Sequence, residues 1–507
     1  MILHIFKKDC RLLWLWILAV AVINLTSAAF WAAASVVEFR GEGIENPYIV
    51  TAWLQSIITW LAAAGLISAA VQQDSLADPA PDCWTRPVSR RDLLLAKLLF
   101  ALVAVQGPIF LGDLVQGLVL GFPVAAAAGA AAVRWLTMAC SLSLFVIAVA
   151  AVGRTLTTSM VIVLFWYFTT LLAWQLINPM TSMWRGYSTG LDWTTQAIGT
   201  VLLISGTGLT LSLQYRTRRL WAARASLAAT LLLLALVPLL PFSARAEIQT
   251  WFASRSQATR SITLTPVRAT TSLEATHLFD RTMYGQLMHV LLPLQISGLP
   301  AGAMLVFDDA RIRLLDARGK SFFDRNMGRP LHVRAQGGAV QFEYPLTLPR
   351  SLYERIAKQP LRIEVTYMLT VAEENAAYTI TAVSKTRRLK DVGWCKTQIT
   401  QSASRGPPRL EMNCLNASRP PVCMTTGSSQ YQAAERTECK PNYAPLPSGV
   451  MPGILHDSLA IKRGDVPKQA PPETAMTLKT YRVVDHFVRK VELDVTEIRE
   501  RRPIPIG

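Results

Sequence analysis

The sequence predicts an α-helical polytopic membrane domain followed by a mainly β domain. The chain has 507 residues, 51% of them hydrophobic, and this average conceals two regions of different character. Up to about residue 245, charged residues other than Asp113 stand between long apolar runs. Beyond that point charge and proline are frequent, and no run is long enough to cross a bilayer. We therefore divide the chain into a transmembrane domain, 1–245, and a β-rich domain, 246–507, long enough to bury its own core.

The first domain contains the apolar runs from which we predict about seven transmembrane helices. A bilayer core requires roughly 20 apolar residues per helix, and continuous runs of this kind form helices because lipid offers the backbone no hydrogen bonds. The third run contains Asp113, and the last is short and includes Pro238. The predicted spans are about 12–37, 49–71, 98–122, 135–152, 156–177, 195–214 and 225–242.

The distribution of Lys and Arg between these spans predicts their orientation. With a cytoplasmic N-terminus, the inner segments hold twelve basic residues and the outer loops hold three. Inner loops are enriched in Lys and Arg, so seven spans place the β-rich domain outside the cytoplasm. The inner residues are Lys7, Lys8, Arg11, Arg86, Arg90, Arg91, Lys97, Arg154, Arg216, Arg218, Arg219 and Arg224, and the outer ones are Arg40, Arg134 and Arg185.

Four of the seven cysteines lie close together in the second domain, within 395–439. An even group of cysteines indicates disulfides in an oxidising compartment, so Cys395, Cys414, Cys423 and Cys439 are predicted to form two disulfides. Three pairings are possible. Four free thiols in a cytoplasmic domain and a zinc site are the alternatives, although spacings of 19, 9 and 16 lack the paired short spacing of zinc ribbons.

Alternating hydrophobicity predicts the strands of the second domain. Apolar and polar residues alternate over 361–370 and 491–496, as in half-buried strands, and 311–315 and 340–344 are similar. A turn is expected at 318–320, and a short helix at 351–358 because Ser351 and Glu354 have capping-box spacing. One or two sandwich-like modules are therefore predicted, with a proline-rich linker or loop at about 440–475.

The predicted cytoplasmic loop at 72–97 carries the most informative motif. Pro87-Val-Ser-Arg-Arg leads into an apolar helix with Lys97 near its start. The loop resembles the one between the second and third spans of ABC transporter permeases of the type-2 exporter class. The resemblance covers about fifteen residues by motif and the first 245 by topology. It departs from the commonest form, in which a stretch containing Glu and Gly precedes the proline. An ordinary basic inner loop with a proline-started helix is the alternative.

The resemblance implies a permease subunit of an exporter, powered by a separate ATPase that docks on this loop. It also implies six spans per subunit, two subunits per pathway as a homodimer or heterodimer, and an interfacial helix at 1–11. A secretory signal peptide ending near Ser27-Ala28-Ala29 is the alternative for the N-terminus. The implied ATPase-coupling residues are Trp84, Arg86, Pro87, Ser89, Arg90 and Arg91.

Three polar residues in the third predicted span share one helix face. Gln106, Asp113 and Gln116 are spaced by 7 and 3 residues, which places them on one side of a helix. A carboxylate in hydrocarbon indicates a position that faces the bundle or water, so this face is a candidate lining of the pathway or dimer interface. In the alternative, the span ends near Phe110 and Asp113 lies at the outer interface.

Motifs for catalysis and nucleotide binding are missing from the sequence. There is no GxxxxGK[ST] run, and the histidines have no metal-ligand spacing, so we assign no catalytic residue and no metal. The net charge of +17 is spread out, and part of it is the inner-loop bias, so we predict no nucleic-acid partner. The expected partners are an ATPase subunit that holds the ATP, a second permease subunit and the lipid bilayer of the plasma (inner) membrane. The alternative function is a membrane-anchored sensor or binding protein whose outer β domain recognises a ligand or envelope component.

Overall fold

A computed structural model describes the protein over most of its length. The described residues are 1–36, 47–74, 89–166, 168, 193–217, 219–237, 240–253, 259–267, 272–277, 287–326, 331–335, 338–381, 386–390, 392–400, 409–415, 423–427, 436–439, 459–463 and 475–501. The N-terminal part is helical and the C-terminal part is mainly β, as predicted.

Nine helices occupy the described part of the N-terminal region. They are α1 (Ile2–Leu12), α2 (Trp14–Val36), α3 (Pro47–Gln72), α4 (Arg90–Val119), α5 (Val124–Val152), α6 (Leu156–Trp166), α7 (Trp193–Ser212), α8 (Leu220–Leu236) and α9 (Phe242–Ala253). Wider π-helical turns interrupt α4 at Ala101–Val105 and α5 at Ala139–Ser143, and another, Leu213–Thr217, extends α7. Helix α9 crosses the domain boundary expected at residue 245.

The described helices do not amount to the seven spans predicted. Three are long and apolar enough to cross a membrane, namely α4, α5 and Ala197–Thr217, and the count is four if α1 and the start of α2, bent by 76°, form one span. Helix α3 as a whole has 26 residues, but the other apolar stretches whose side chains the structure describes are 10–17 residues long, below the roughly 20 residues that a bilayer core requires. They are Ile57–Gln72, Leu156–Trp166 and Leu220–Leu236.

The boundaries of α4 and α5 also correct the sequence analysis. The fourth span was expected to begin at 135, with Arg134 in an outer loop, but the helix begins at Val124. Residues 124–132 are mostly alanine, the strongest helix former, so the helix extends back through them. Arg134 therefore lies within α5 and is buried.

The core of the helical part combines large aliphatic residues with alanines on α3, α4 and α5. Ala64, Ala96 and Ala148 are completely buried, and they pack with Phe100 and Ile147. Small side chains at these positions let the helices approach closely.

Sixteen strands are described in the C-terminal part. They are β1 (Thr263–Pro266), β2 (Ser272–His277), β3 (Leu287–Ser297), β4 (Met304–Asp316), β5 (Ser321–Asn326), β6 (Leu331–Arg334), β7 (Val340–Pro349), β8 (Leu361–Thr381), β9 (Arg387–Leu389), β10 (Gly393–Thr400), β11 (Arg409–Leu415), β12 (Cys423–Gly427), β13 (Arg436–Cys439), β14 (Leu459–Arg463), β15 (Ala475–Val495) and β16 (Glu497–Glu500). A short helix, α10 (Arg350–Ile356), follows β7.

These strands form three sheets, two of which enclose a common core. The first has the order β1-β3-β2-β16, with β7 also paired to β3, and the second has the order β13-β12-β15-β8-β4-β5, with β6 also paired to β4. Buried residues from both pack together, and Tyr344 of the first sheet meets Tyr367 of the second with ring centroids 4.9 Å apart. The third sheet, β14-β11-β10-β9, shares no strand with these two and packs against Leu478 of β15.

The predicted strands fall within these sheets, but the predicted helix cap was wrong. The alternating segment at 361–370 lies in β8, and the one at 491–496 lies in β15 up to Val495, where that strand ends. The two strands pair antiparallel along their length, and Gly319 adopts a φ of +77° in the predicted turn. Helix α10 begins at Arg350 after Pro349 and has no side-chain cap. Because Pro349 sets the start of the helix, Ser351 already lies inside the first turn and cannot act as its N-cap.

Candidate functional site

The end of the predicted coupling loop forms the start of α4. Ser89 is the N-cap of α4, and its Oγ accepts a hydrogen bond from the Asp92 backbone N at 3.1 Å. In the first turn, Arg90 is half-buried and Arg91 is exposed. Trp84, Arg86 and Pro87 lie outside the described residues, which resume at residue 89. The visible part of the motif is thus a capped helix start that presents at least one exposed guanidinium.

A buried cluster of charges lies two turns further along α4. Lys97 Nζ donates hydrogen bonds to Asp9 Oδ2 and to Asp74 Oδ2, both at 2.7 Å. Lys8 Nζ donates to Asp74 Oδ1, also at 2.7 Å. Only 1% of the Lys97 side chain and none of the Asp9 side chain is exposed. These four residues, the Lys97 cluster, join α1 and the chain after α3 to the base of α4.

The charges of the Lys97 cluster depend on one another. Burial raises the pKa of Asp74, but the ammonium groups of Lys97 and Lys8 lower it more, so its pKa lies below the ordinary value. Two anions face two cations, and an ion pair removed from water remains stable only when its members are both paired and hydrogen-bonded. From the sequence, Lys97 was counted among the inner-loop charges and noted near the start of the helix after the motif, but no partner was predicted for it, for Asp9 or for Asp74. The signal available was a lysine inside an apolar run.

The three polar residues predicted to share a face of α4 are all buried inside the helical part. Gln106, Asp113 and Gln116 have exposures of 0%, 3% and 2%. Asp113 is not at the end of the helix, which continues to Val119, and its Oδ1 accepts a hydrogen bond from Arg134 Nη1 of α5 at 3.1 Å. The structure therefore places Asp113 against the helix bundle, and Arg134 supplies the counter-charge that the sequence analysis had put in a loop.

The hydrogen bond of Gln106 joins the two helices at their π-helical turns. Gln106 directly follows the turn at Ala101–Val105, and its Nε2 donates to Ser143 Oγ at 3.1 Å. Ser143 is the last residue of the turn at Ala139–Ser143. With Asp113–Arg134, this bond holds α4 and α5 together as one hairpin at two levels. Turns of this kind occur frequently at functional sites, where they redirect side chains.

Two of the four clustered cysteines form a disulfide. Cys395 on β10 is bonded to Cys414 on β11, and the two residues are direct partners in the antiparallel register. Cys423 on β12 and Cys439 on β13 are also direct register partners. The strand register thus selects one of the three pairings that the sequence left open.

We expect a second disulfide between Cys423 and Cys439. Directly opposed positions of antiparallel strands bring Cβ atoms to about 4.5–5.5 Å, close to the separation across a disulfide. Mass spectrometry of the unreduced protein should recover peptides joined as 395–414 and 423–439. Free thiols at 423 and 439, or either residue joined elsewhere, would contradict this pairing.

A second group of buried polar residues lies where α9 packs on the β sandwich. Gln249 Nε2 donates to the backbone oxygens of Leu369 at 3.1 Å and Phe487 at 2.9 Å, and Arg245 Nη2 lies 3.5 Å from Asp309 Oδ2. Helix α9, which follows the last apolar helix, is therefore fixed to the central strands of the second sheet.

Beside α9, three side chains from three neighbouring strands form a hydrogen-bonded row. Thr370 Oγ1 donates to Asp308 Oδ2 at 2.5 Å and lies 2.6 Å from His486 Nδ1. Bulges at Phe307/Asp309 in β4 and Val483/Asp485 in β15 flank the row. Burial lowers the pKa of His486 to about 4, against a smaller opposite effect of Asp485. Thr370 is completely buried, so the row resembles a structural network more than a nucleophile. Among the described residues, no three His, Cys, Asp or Glu side chains are grouped as a metal site.

We expect Asp308→Asn to stabilise the β domain at neutral pH. Burial, reinforced by the neighbouring Asp309 and only partly offset by Thr370, raises the pKa of Asp308 well above its ordinary value. A raised folded-state pKa means that stability is lost as the pH rises above the unfolded value of about 4. Asparagine keeps an acceptor for Thr370 without this loss. The advantage of the variant should grow with pH by up to about 1.4 kcal/mol per unit until the folded-state pKa is passed.

Thermal unfolding of the full-length protein between about pH 5 and pH 8 measures this effect. The matched control is Asp494→Asn, at an exposed position of β15. A stability difference from wild type that does not change with pH would mean that Asp308 is ionised in the folded protein.

Comparisons with known proteins assign no family to the chain. No protein-family model matches it, and no curated protein is similar to it. Among solved structures, the crystal structure of red sea bream transglutaminase matches 45% of this chain and 31% of its own length, at 11% identity and a TM-score of 0.12. The matched part thus spans about a third of that protein. A similarity this low indicates neither a shared fold nor a shared activity, so the proposals for function depend on the geometry of the chain itself.

Proposed function

We propose that the protein is the membrane-spanning permease subunit of an ABC-type exporter, powered by a separate ATPase that docks on the loop 72–97. The observation that carries the proposal is the Lys97 cluster. A docked ATPase does work on a permease only if the contacted segment is rigidly joined to the spanning helices. Ser89 caps α4 immediately after the loop, and Lys97 pins that helix to α1 and Asp74 through two 2.7 Å hydrogen bonds.

The proposed topology has seven spans, with a cytoplasmic N-terminus and the β domain outside, in the plasma (inner) membrane. Each of the seven predicted positions overlaps one of the three long apolar helices, the bent α1–α2 pair or one of the three shorter apolar stretches, and this overlap supports the proposal. The Cys395–Cys414 disulfide supports an oxidising compartment for the β domain. The basic residues Lys7, Lys8 and Arg91 lie at the same end of the bundle as Lys97, which is the cytoplasmic end in this arrangement.

The proposed pathway forms between two such subunits, as a homodimer or heterodimer. Gln106, Asp113 and Gln116 are turned toward the bundle within one subunit. Their role in the proposal is to hold the α4–α5 hairpin as a single moving part of the permease. ATP binds to the partner ATPase, and the chain itself acts as a transport subunit without a cofactor.

Affinity purification from native membranes in mild detergent, followed by mass spectrometry, tests the proposal. We expect a P-loop ATPase to copurify in stoichiometric amount and to be lost with Arg90→Ala/Arg91→Ala. The matched control is Arg154→Ala, which removes an exposed arginine after α5. Retention of the ATPase by the double variant would refute docking at this helix start. Absence of any ATPase from the wild-type preparation, when a known ABC complex stays intact in the same detergent, would favour the membrane-anchored sensor or binding protein.

A further inference from the structure

The third sheet of the β domain rests on the turn that joins α4 to α5. Leu415 of β11 is 1% exposed and is buried in one cluster with Phe122 of the turn and Ala131 of α5. Trp394 of β10 packs against the same cluster. The two domains therefore touch through an apolar contact at the opposite end of α4 from Lys97.

Two hydrogen bonds fix this contact to the end of α4. Lys396 Nζ donates to the Leu120 backbone oxygen at 3.4 Å, and Thr386 Oγ1 donates to the Gly121 backbone oxygen at 3.0 Å. The last carbonyls of a helix have no partner within the helix, and they carry the negative end of its dipole. An ammonium and a hydroxyl from the β domain thus complete the C-terminus of α4.

The Cys395–Cys414 disulfide lies in the middle of these contact residues. Trp394 and Lys396 are the two neighbours of Cys395 in the chain, and Leu415 is the neighbour of Cys414. The disulfide therefore holds the two contacting strands in fixed register with each other. We name Trp394, Lys396, Leu415 and Thr386 the clamp.

Helix α4 connects the clamp to the Lys97 cluster. It runs from Arg90 to Val119, about 45 Å at 1.5 Å per residue. Between its ends, the bonds Gln106–Ser143 and Asp113–Arg134 join α4 to α5, so the two helices are braced against separate movement. Polar contacts thus fix the α4–α5 hairpin at both ends. One end is bonded to α1 and Asp74, and the other end is bonded to the β domain.

We propose that the α4–α5 hairpin couples the two ends of the molecule, so that the clamp and the Lys97 cluster respond to each other. Movement of the N-terminal end of α4 changes the contact between the clamp and the turn that joins α4 to α5. Release of the clamp weakens the packing of α1 against α4. This regulation by the β domain goes beyond the proposed transport function. It holds for either function because it requires only the intramolecular contacts described above.

The thiol of Cys10 reports on the packing of α1 beside the Lys97 cluster, at the opposite end of α4 from the clamp. Cys10 follows Asp9 in α1 and is half-buried, so weaker docking of α1 should expose it. The double variant Thr386→Ala/Lys396→Ala removes the two hydrogen bonds of the clamp and is expected to release it. Lys390→Ala is the matched control because it removes an exposed lysine just after β9. Cys140, also half-buried, lies in the π-helical turn of α5 and reports general opening of the helices.

The experiment measures maleimide labelling rates in the purified full-length protein, with mass spectrometry to identify the labelled peptide. We expect the clamp variant to label Cys10 several-fold faster than wild type, with Cys140 unchanged and the Lys390→Ala protein like wild type. Hydrogen exchange at 120–124 reports whether the clamp has released. An unchanged Cys10 rate together with faster exchange at 120–124 overturns the coupling, because the clamp has then released without effect. Unchanged exchange at 120–124 overturns the clamp itself, because its two hydrogen bonds then do not hold the β domain to the turn. Faster labelling of both cysteines also overturns the coupling, because it indicates general loosening.

The reverse direction uses a mild change at the Lys97 cluster. Lys8→Ala removes one bond to Asp74 from a side chain that is 32% exposed, so the variant is expected to fold. We expect faster hydrogen exchange at 120–124 than in wild type. The control is Lys7→Ala at an exposed position on α1. Unchanged exchange at 120–124 in the Lys8 variant would show that the two ends are independent and would overturn the proposal.

Discussion

Replacing Lys97 with methionine is expected to lower the free energy of unfolding of the helical part by about 3–5 kcal/mol, the usual effect of breaking a buried ion pair from one side. Asp9 would lose its 2.7 Å ammonium partner while remaining completely buried. Its other neighbouring cation, Lys8 Nζ, is 3.9 Å from the second carboxylate oxygen and is itself half-exposed. Stability of the full-length protein in detergent, measured by thermal or denaturant unfolding, provides the comparison with wild type.

Two further variants separate the charge effect from the loss of a side chain. Lys97→Met/Asp9→Asn removes the unpaired carboxylate as well, so it should recover a large part of the lost stability, because neutral groups are much less costly to bury than ions. Lys7→Met, at an exposed position of α1, should have almost no effect. If Lys97→Met and Lys7→Met behave alike, the buried pair does not form in the protein.

Gly298→Ala is expected to be the most disruptive small substitution in the β sandwich. Gly298 follows β3 with a φ of +77°, and a Cβ placed there would lie 2.0 Å from the backbone oxygen of Ser261. A neighbouring backbone has no flexible end that can move away. The left-handed conformation alone costs an alanine about 1–2 kcal/mol, and overpacking typically adds about 1–3 kcal/mol. Loss of the β1–β3 pairing, seen as faster hydrogen exchange over 263–266, should accompany the loss of stability.

Gly302→Ala is the matched control because it isolates the conformational contribution. Gly302 has a φ of +80°, almost equal to that of Gly298, but a Cβ there would meet nothing within 4 Å. Its alanine variant should therefore lose only the stability that the left-handed conformation requires. Equal losses at the two positions would show that Ser261 does not approach Gly298 as the structure has it.

The β domain was the more predictable half because its strands carry a local signal. The alternation over 361–367 follows from one buried face of β8, and a two-residue period can be read without knowledge of the partner strand. Met368 and Thr370, on the other face, are buried as well, and α9 packs against Met368 there. The helix predicted at 351–358 lies within two residues of α10, but its predicted N-cap, Ser351, was wrong because the helix begins one residue earlier, directly after Pro349. The cysteine pairing could not be predicted because it depends on which strands become neighbours, and no local pattern determines that.

The Lys97 cluster and the Asp113–Arg134 pair were beyond sequence reasoning for a related cause. Lys97 meets Asp9 across 88 residues of chain, so neither residue carries a sign of the other. The orientation rule counts basic residues as loop residues, and it therefore placed Arg134 in a loop when the alanine-rich segment before it continues the helix. Only the polar face of α4 could be found in advance, because its members lie on one helix at helical spacing.

The long pairing of β8 with β15 also has a consequence for folding during synthesis, because β8 must wait for its partner strand. The two strands pair along their whole length, although about a hundred residues or more separate their partners in the chain. Such distant contacts form slowly because a large loop must close before any pairing compensates for its entropy. During synthesis, β8 emerges long before β15, and one edge of a 21-residue strand then has no partner. An unpaired edge of this length can pair with other chains, so biogenesis of the protein requires that this edge be shielded until β15 arrives.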